Sequence, residues 1–404
     1  MAGEQIMSDV YTQSVELHRK NKGKLGVQSI VEVKDRTDLS LVYTPGVAQV
    51  CREISKDKNE SFELTWRGRS VAVISDGSAV LGLGNIGAEA AMPVMEGKAL
   101  LFKQFGGVDA VPLCIDLHTA DEIVNFVKAV APSFGGINLE DITSPLCIEV
   151  EDRLQDIGIP VVHDDQHGTA IVVSAALLNA AKVVGKKYED LKIVISGAGS
   201  AGLAIAQMLL SYERKGNTLV KVEGGRSVGD VIILDSKGII NEESGEWKGI
   251  FAKFTNKDKK SGDLIEAMKG MDAFIGVSKG GIVTAQMVAT MAKDSIVLAM
   301  ANPDPEIPPD EAKKGGARIV GTGRSDFNNQ INNSLVFPGL FRGMLDAHAT
   351  KVSTGIKQAA RDALASSIEP TDEAILPPMF TSGIPELIAK AVAEQVKKEG
   401  LERL

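Results

Sequence analysis

A chain of 404 residues, 44% hydrophobic and 24% charged, exceeds one ordinary core and has the composition of a packed globular protein, which excludes disordered, collagenous and coiled-coil classes. Its net charge of −9, with acids and bases interspersed, offers no basic face and argues against nucleic acid as a partner. The sequence opens without an apolar signal core and has no run of about 18 apolar residues, and Cys51, Cys114 and Cys147 lack partners at metal or redox spacing, so a cytoplasmic protein away from the membrane is expected.

In chain order, the first feature is LVYTPGVAQV, where the Pro45-Gly46 turn would fix the position of Tyr43. Tyr43 reads either as a packed turn residue or as a proton donor. From Val71, VAVISD predicts a strand, followed by a glycine-rich turn and a helix through about Gln104 that stops at Gly106-Gly107. In that helix Met95, Lys98, Phe102 and Phe105 recur at helical spacing, so Lys98 shares an apolar face. Burial there lowers a lysine pKa toward the range of a general base. A snorkelling side chain fits the same pattern.

VDAVPLCID and TADEIVNFVKAVAP predict a further strand and helix. The short strands GINL and IPVV follow, and each leads into acids: Glu140-Asp141 after the first, Asp164-Asp165 beyond His163 after the second. Strand carboxyl ends are where open α/β sheets bind ligands. Four converging carboxylates suit a hard divalent cation, Mg²⁺ or Mn²⁺. A solvated turn or a helix N-cap is the competing reading for either pair. His163 and His167 read as hydrogen-bonding scaffold, because no cysteine lies near enough to complete a zinc site.

From Gly168 a buried helix runs to Gly185 and carries the chain into a second α/β unit. There LKIVISGAGSAGLAIAQMLL is strand, turn and helix, with Gly197, Gly199, Ser200, Ala201 and Gly202 forming a G-x-G-x-x-G dinucleotide turn. Asp235 ends the next strand, VGDVIILD, 33 residues beyond Gly202, and is placed to bind an adenosine ribose. Its carboxylate favours NAD, while Lys237 would tolerate the 2′-phosphate of NADP, so either cofactor fits. A second match, Gly82 to Gly87, lacks a suitable acidic strand end and reads as backbone shaping a cleft. DAFIGV and SIVLAMANP continue the strands, and IPELIAKAVAEQVKKEG predicts a terminal helix packing back on the body.

Together YTPGVA, SDGSAVLGLGNIG, MEGKALLFK, INLEDI, HDDQHGTA, GAGSAG, ANPDPEI and NNSLVFPG resemble the malic enzymes, in their short bacterial form, over about three quarters of the chain. The resemblance implies two α/β domains: residues 1–161 for substrate and metal, and 162–404 as a Rossmann-like, doubly wound dinucleotide-binding domain. It implies oxidative decarboxylation of malate to pyruvate and CO₂ with NAD or NADP, and a homodimer. Tyr43 would be the general acid and Lys98 the general base. Glu140, Asp141 and Asp165 would bind the metal with Asp164 in support. Asn302, Asn332 and Asn333 would contact substrate, Asn302 also the nicotinamide end. Larger members carry Asp-Gly-Glu-Arg where this chain has Asp76-Gly77-Ser78-Ala79, so the arginine that would grip a substrate carboxylate is missing. A malolactic enzyme that releases lactate and an inactive nucleotide-binding regulator are the rival readings.

Overall fold

Two parallel sheets organise the chain. The computed structural model describes residues 2–80, 82–216 and 218–403, with the backbone alone for residues 2–9; Met1, Leu81, Asn217 and Leu404 lie outside the described residues. The first sheet comprises β1 (Ser70–Ser75), β2 (Asp109–Cys114), β3 (Gly136–Leu139) and β4 (Val161–His163) in the order β2-β1-β3-β4. Parallel strands covered on both faces are expected to be continuously apolar rather than alternating. Accordingly β1 and β3 are buried at every position.

Register places the acids. Leu139 pairs with both Ile74 and His163, so β1, β3 and β4 end at one level. Asp76, Glu140-Asp141 and Asp164-Asp165 therefore emerge side by side. β4 spans the expected boundary, because Val162 and His163 still pair within the first sheet.

The chain then enters the Asp164–Val184 helix, closed by Gly185 in the left-handed region. By length and composition this is the one described helix apolar enough to cross a membrane, with mean hydropathy 1.4, yet 78% of its apolar window is buried inside the protein. It is a core helix joining the two sheets.

β5 (Lys192–Ser196) opens the second sheet; the polar insertion after its helix forms a hairpin of β6 (Tyr212–Lys215) and β7 (Thr218–Lys221) that explains the long spacing to Asp235. β8 (Asp230–Asp235), β9 (Gly238–Ile239), β10 (Ala273–Gly276), β11 (Ile296–Ala299) and β12 (Ile319–Thr322) follow. The order is β12-β11-β10-β5-β8-β9, parallel but for β9, with β5 central as a doubly wound fold requires.

The C-terminal helices Phe337–Asp346 and Ile384–Lys398 return to pack on the Ala88–Gly106 helix of the first domain, while Thr354–Ala365 packs on the Asp164–Val184 helix. Phe102 packs against Phe337 and Phe341 with ring centroids 4.6 and 5.2 Å apart, which joins the Lys98 helix to the far end of the chain. At the other terminus, the helices Arg36–Val42, Val47–Lys56 and Glu60–Leu64 contain no buried residue.

Candidate active site

The Ala88–Gly106 helix buries Met95 and Phe102, and Lys98 on the same face is only 10% exposed at its side chain. Its Nζ lies 2.6 Å from Asp164 Oδ2 and 3.0 Å from Glu140 Oε1, and 4.3 Å from the centre of the Phe337 ring. Snorkelling to solvent is thus overturned. So is the expectation of a depressed pKa: burial works against the charge, but the carboxylates of Asp164 and Glu140 outweigh it and hold the ammonium above its ordinary range. Burial pushes both carboxyls upward in turn, with Lys98 opposing.

Glu140 Oε2 also accepts a hydrogen bond from Asn138 Nδ2 at 2.8 Å. Asn138 has no charge to advertise it, but it lies two residues before Glu140 on the same side of a strand, and that period could have revealed it. Asp141 takes a φ of +53°, unusual for a side-chain-bearing residue, and its amide donates to Asp165 Oδ2 at 2.9 Å. That turn brings the two acidic pairs together. Asp165, in the first turn of the Asp164–Val184 helix, also faces the positive end of the helix dipole.

One carboxylate oxygen from each of Glu140, Asp141 and Asp165 lies within 4.8 Å of the others. All-oxygen donors so close, two of them 4% exposed, fit a hard divalent cation better than a solvated turn. Asp164 is fully buried, lies outside that trio, and has its Oδ2 committed to Lys98.

A charged cluster absent from the sequence reading braces this corner. Glu151, 5% exposed, accepts from the His163 amide at 3.0 Å, Gln166 Nε2 at 3.1 Å and His167 Nε2 at 2.9 Å. Lys357 Nζ stands 3.0 Å from His167 Nδ1. His167 therefore serves as hydrogen-bonding scaffold, whereas His163 contributes only its backbone amide, its buried ring nitrogens making no hydrogen bond among the described residues. Glu151 is held down at about 2, because His167 and Lys357 overcome the effect of its burial.

The loop where an arginine is missing is stitched shut instead. Ser78 Oγ donates to Asp76 Oδ1 at 2.6 Å and accepts from the Thr143 amide at 2.9 Å, while the Ala79 amide donates to the Asp141 carbonyl at 2.9 Å. In the same loop a Cβ on Gly82 would come 3.7 Å from Pro303 Cδ. The first glycine turn thus faces the Asn302 loop across the cleft.

The second glycine turn opens on a cavity of about 640 Å³ whose lining includes Gly197, Gly199, Asp235, Trp247, Lys248 and Ser278. A Cβ on Gly202 would sit 1.8 Å from the Gly197 carbonyl oxygen, and one on Gly197 2.6 Å from the Val277 carbonyl oxygen. Gly199 has open space before it. Two glycines thus close helix onto strand, and one leaves backbone free to face a ligand. Ser200, Ala201 and Gly202 begin the Ser200–Leu210 helix behind the cavity. Lys248, which sequence reasoning missed, lies 2.5 Å from Asp235 and holds that carboxyl below its usual range. Lys237 contributes its backbone amide to Asp235 at 2.8 Å.

The asparagines are dispersed. Asn302 is exposed and donates to the Met300 carbonyl at 3.2 Å. Asn332 Oδ1 caps the short helical turn Asn333–Leu335, accepting from Ser334. Asn333 lies nearer the acids, its Cβ 3.2 Å from where a Cβ on Gly168 would stand. Tyr43 is 67% exposed and makes no side-chain hydrogen bond among the described residues.

Comparison with known proteins bears on the whole chain. Residues 22–155 match the family model for the malic enzyme N-terminal domain, and residues 166–400 match that for the malic enzyme NAD binding domain. A bifunctional malic/malolactic enzyme of Bacillus subtilis is 48% identical, the alignment covering 97% of this chain and 94% of that protein. An NAD-dependent malic enzyme of Geobacillus stearothermophilus is also 48% identical, over 94% of this chain and 78% of the relative. Among solved structures, the malic enzyme of Pyrococcus horikoshii superposes with a TM-score of 0.90 at 44% identity, covering 98% of this chain and 92% of that one. The chain therefore belongs to the malic enzyme family, which oxidatively decarboxylates malate with reduction of NAD(P)⁺.

Proposed function

We propose that Lys98, Asp164 and Tyr43 carry the proton transfers of this malate-oxidising, decarboxylating enzyme, and that Glu140, Asp141 and Asp165 hold its divalent ion, Mg²⁺ or Mn²⁺. The observation that carries the reading is the convergence of those three carboxylates beside a lysine already salt-bridged to one of them. Glu140, Asp141 and Asp165 would hold a divalent ion that would polarise the C2 oxygen as a Lewis acid and, by drawing on the carboxylate charge beside Lys98, would leave that amine free to act as base.

Lys98 receives the proton of the C2 hydroxyl, while Asp164 keeps one acceptor on Nζ and fixes its direction. Gly197 and Gly199 would hold the nucleotide, whose nicotinamide would accept the hydride from C2. Departure of the β-carboxylate as CO₂ leaves its electron pair on the substrate as an enolate. The Tyr43 hydroxyl protonates C3, giving pyruvate, and the proton that Lys98 took from the C2 hydroxyl returns through water to Tyr43, which resets both groups. Phe337 and the apolar face of the Lys98 helix exclude water from the amine.

Substrate contacts are assigned to Asn302, Asn332 and Asn333, with Asn333 closest to the acids. The Asp235 carboxylate suits the ribose diol of NAD, and Lys248 beside it supplies a cation that an NADP phosphate would also use. The assembly is read as a homodimer and the setting as cytoplasmic, in keeping with three free cysteines. A malolactic outcome is the second reading, favoured by the printed name of the Bacillus subtilis relative. Release of lactate without accumulation of NAD(P)H would establish it. The ligand set is tested by titrating Mn²⁺ into Asp165→Ala: affinity should fall at least tenfold, and unchanged affinity would remove Asp165 from the site.

A further inference from the structure

The polar insertion ahead of Asp235 does more than lengthen the chain between turn and strand end. Its hairpin of β6 and β7 lies against the Glu246–Ala252 helix and the turn after it. Tyr212 packs on Phe254 with ring centroids 4.9 Å apart, and Arg214 sets its guanidinium carbon 4.6 Å from the centre of the Trp247 ring. Arg214 also stands 2.5 Å from Asp152 and is only 11% exposed at its side chain, so the guanidinium is fixed against the indole.

Trp247 forms a wall shared by two cavities. Arg214, Lys357 and Glu151 line the smaller one, and the larger is the cavity at the Gly197 turn. Among the described residues lining that larger cavity Trp247 is the only aromatic, and it precedes Lys248, the partner of Asp235. A dinucleotide whose pyrophosphate faces Gly199 and whose ribose meets Asp235 still has its base to place. Ile148, Leu203 and Ile282 offer that base apolar area, but no π-face. An indole offers one, and an arginine packed on the ring holds it in place.

We propose that Trp247 is the platform on which the adenine of NAD(P) stacks, and that Arg214, reaching in from the hairpin, is the positioning residue that holds the indole for it. The inference rests on the reading of the Gly197 turn as the nucleotide site.

The tests use the full chain. The sequence holds two tryptophans, and Trp66 packs on Phe134 in the other domain, so Trp66→Phe leaves Trp247 as the single fluorophore. ADP-ribose, which carries the adenine without the nicotinamide, should quench Trp247 emission to saturation; unchanged emission overturns the stacking. Titration with NADH or NADPH then compares two replacements of the ring: Trp247→Phe keeps a π-face and should bind within about threefold of wild type, whereas Trp247→Leu keeps only apolar bulk and should bind about tenfold more weakly. Equal affinities of the two variants overturn the stacking as well. Arg214→Ala should raise KM for the dinucleotide several-fold and shift Trp247 emission to the red, with kcat and KM for malate unchanged, and Arg214→Lys, which restores a cation over the ring, should recover most of the loss. If Mn²⁺ affinity and KM for malate move while KM for the dinucleotide does not, Arg214 merely braces the Asp152 corner and its positioning role falls. Wild-type affinity in both Gly202→Ala and Trp247→Leu would refute the nucleotide site itself; a loss in Gly202→Ala alone refutes only the stack.

Discussion

Replacing Glu151 by Gln is the perturbation whose size the structure sets most directly. The carboxylate is 5% exposed, accepts three hydrogen bonds, and has its pKa held at about 2 against an ordinary 4.5. At about 1.4 kcal/mol per unit, that depression corresponds to roughly 3 kcal/mol of stability. Breaking a buried charge pair from one side costs a similar 3–5 kcal/mol or so. Burial already holds His167 neutral at pH 7 and disfavours the charge on Lys357, which loss of Glu151 lets neutralise, so ~2–3 kcal/mol is the expected net loss. Glutamine also turns an NH₂ toward a pocket of donors. The folded-state pKa lies below the unfolded one, so this stabilisation is complete above about pH 4.5 and fades as pH falls toward 2. Thermal unfolding of wild type and Glu151→Gln should therefore show a gap of several degrees at pH 7 that narrows on acidification below pH 5. Because Glu151 holds His163 and Gln166 on either side of Asp164-Asp165, Mn²⁺ affinity should weaken with it. Equal melting temperatures at pH 7, or a gap that widens in acid, would refute the reasoning.

Two substitutions separate chemistry from nucleotide binding. Lys98→Ala should lower malate oxidation by roughly 10²–10⁴-fold while fluorescence titration shows NAD(P)H still bound; near-normal turnover would take Lys98 out of the reaction. Gly202→Ala puts a Cβ 1.8 Å from the Gly197 carbonyl oxygen, so backbone must shift, and nucleotide affinity should fall at least tenfold. A wild-type dissociation constant would mean that the turn is not the pyrophosphate site.

What could be read from sequence follows from how local each cause is. The strand into the Gly197 turn and the acids after GINL and IPVV were legible because strand period, turn glycines and adjacent carboxylates signal over a few residues. The charge of Lys98 was not: its counter-ions come from Glu140 and from Asp164, 66 positions away, and only the register of β3 with β4 brings them together. Lys357 is likewise 190 residues from His167, so their contact left no local pattern. Asp164-Asp165 follow the strand directly as the first turn of a helix whose N-cap is His163, so the pair is neither an N-cap nor a solvated turn. The hairpin of β6 and β7 appeared only as unexplained length before Asp235, and the exposure of the N-terminal arm required the fold itself.

Buried carboxylates and Lys98 together serve metal-dependent oxidation and decarboxylation of malate in the function proposed above. Its most direct test is a steady-state assay of malate with NAD⁺ and with NADP⁺, each before and after EDTA dialysis and again after Mn²⁺ is restored, following NAD(P)H, pyruvate and CO₂. Equal amounts of all three products with at least one cofactor, lost on chelation and recovered with Mn²⁺, are predicted. Undiminished turnover after chelation, or malate consumed without release of NAD(P)H, would contradict it.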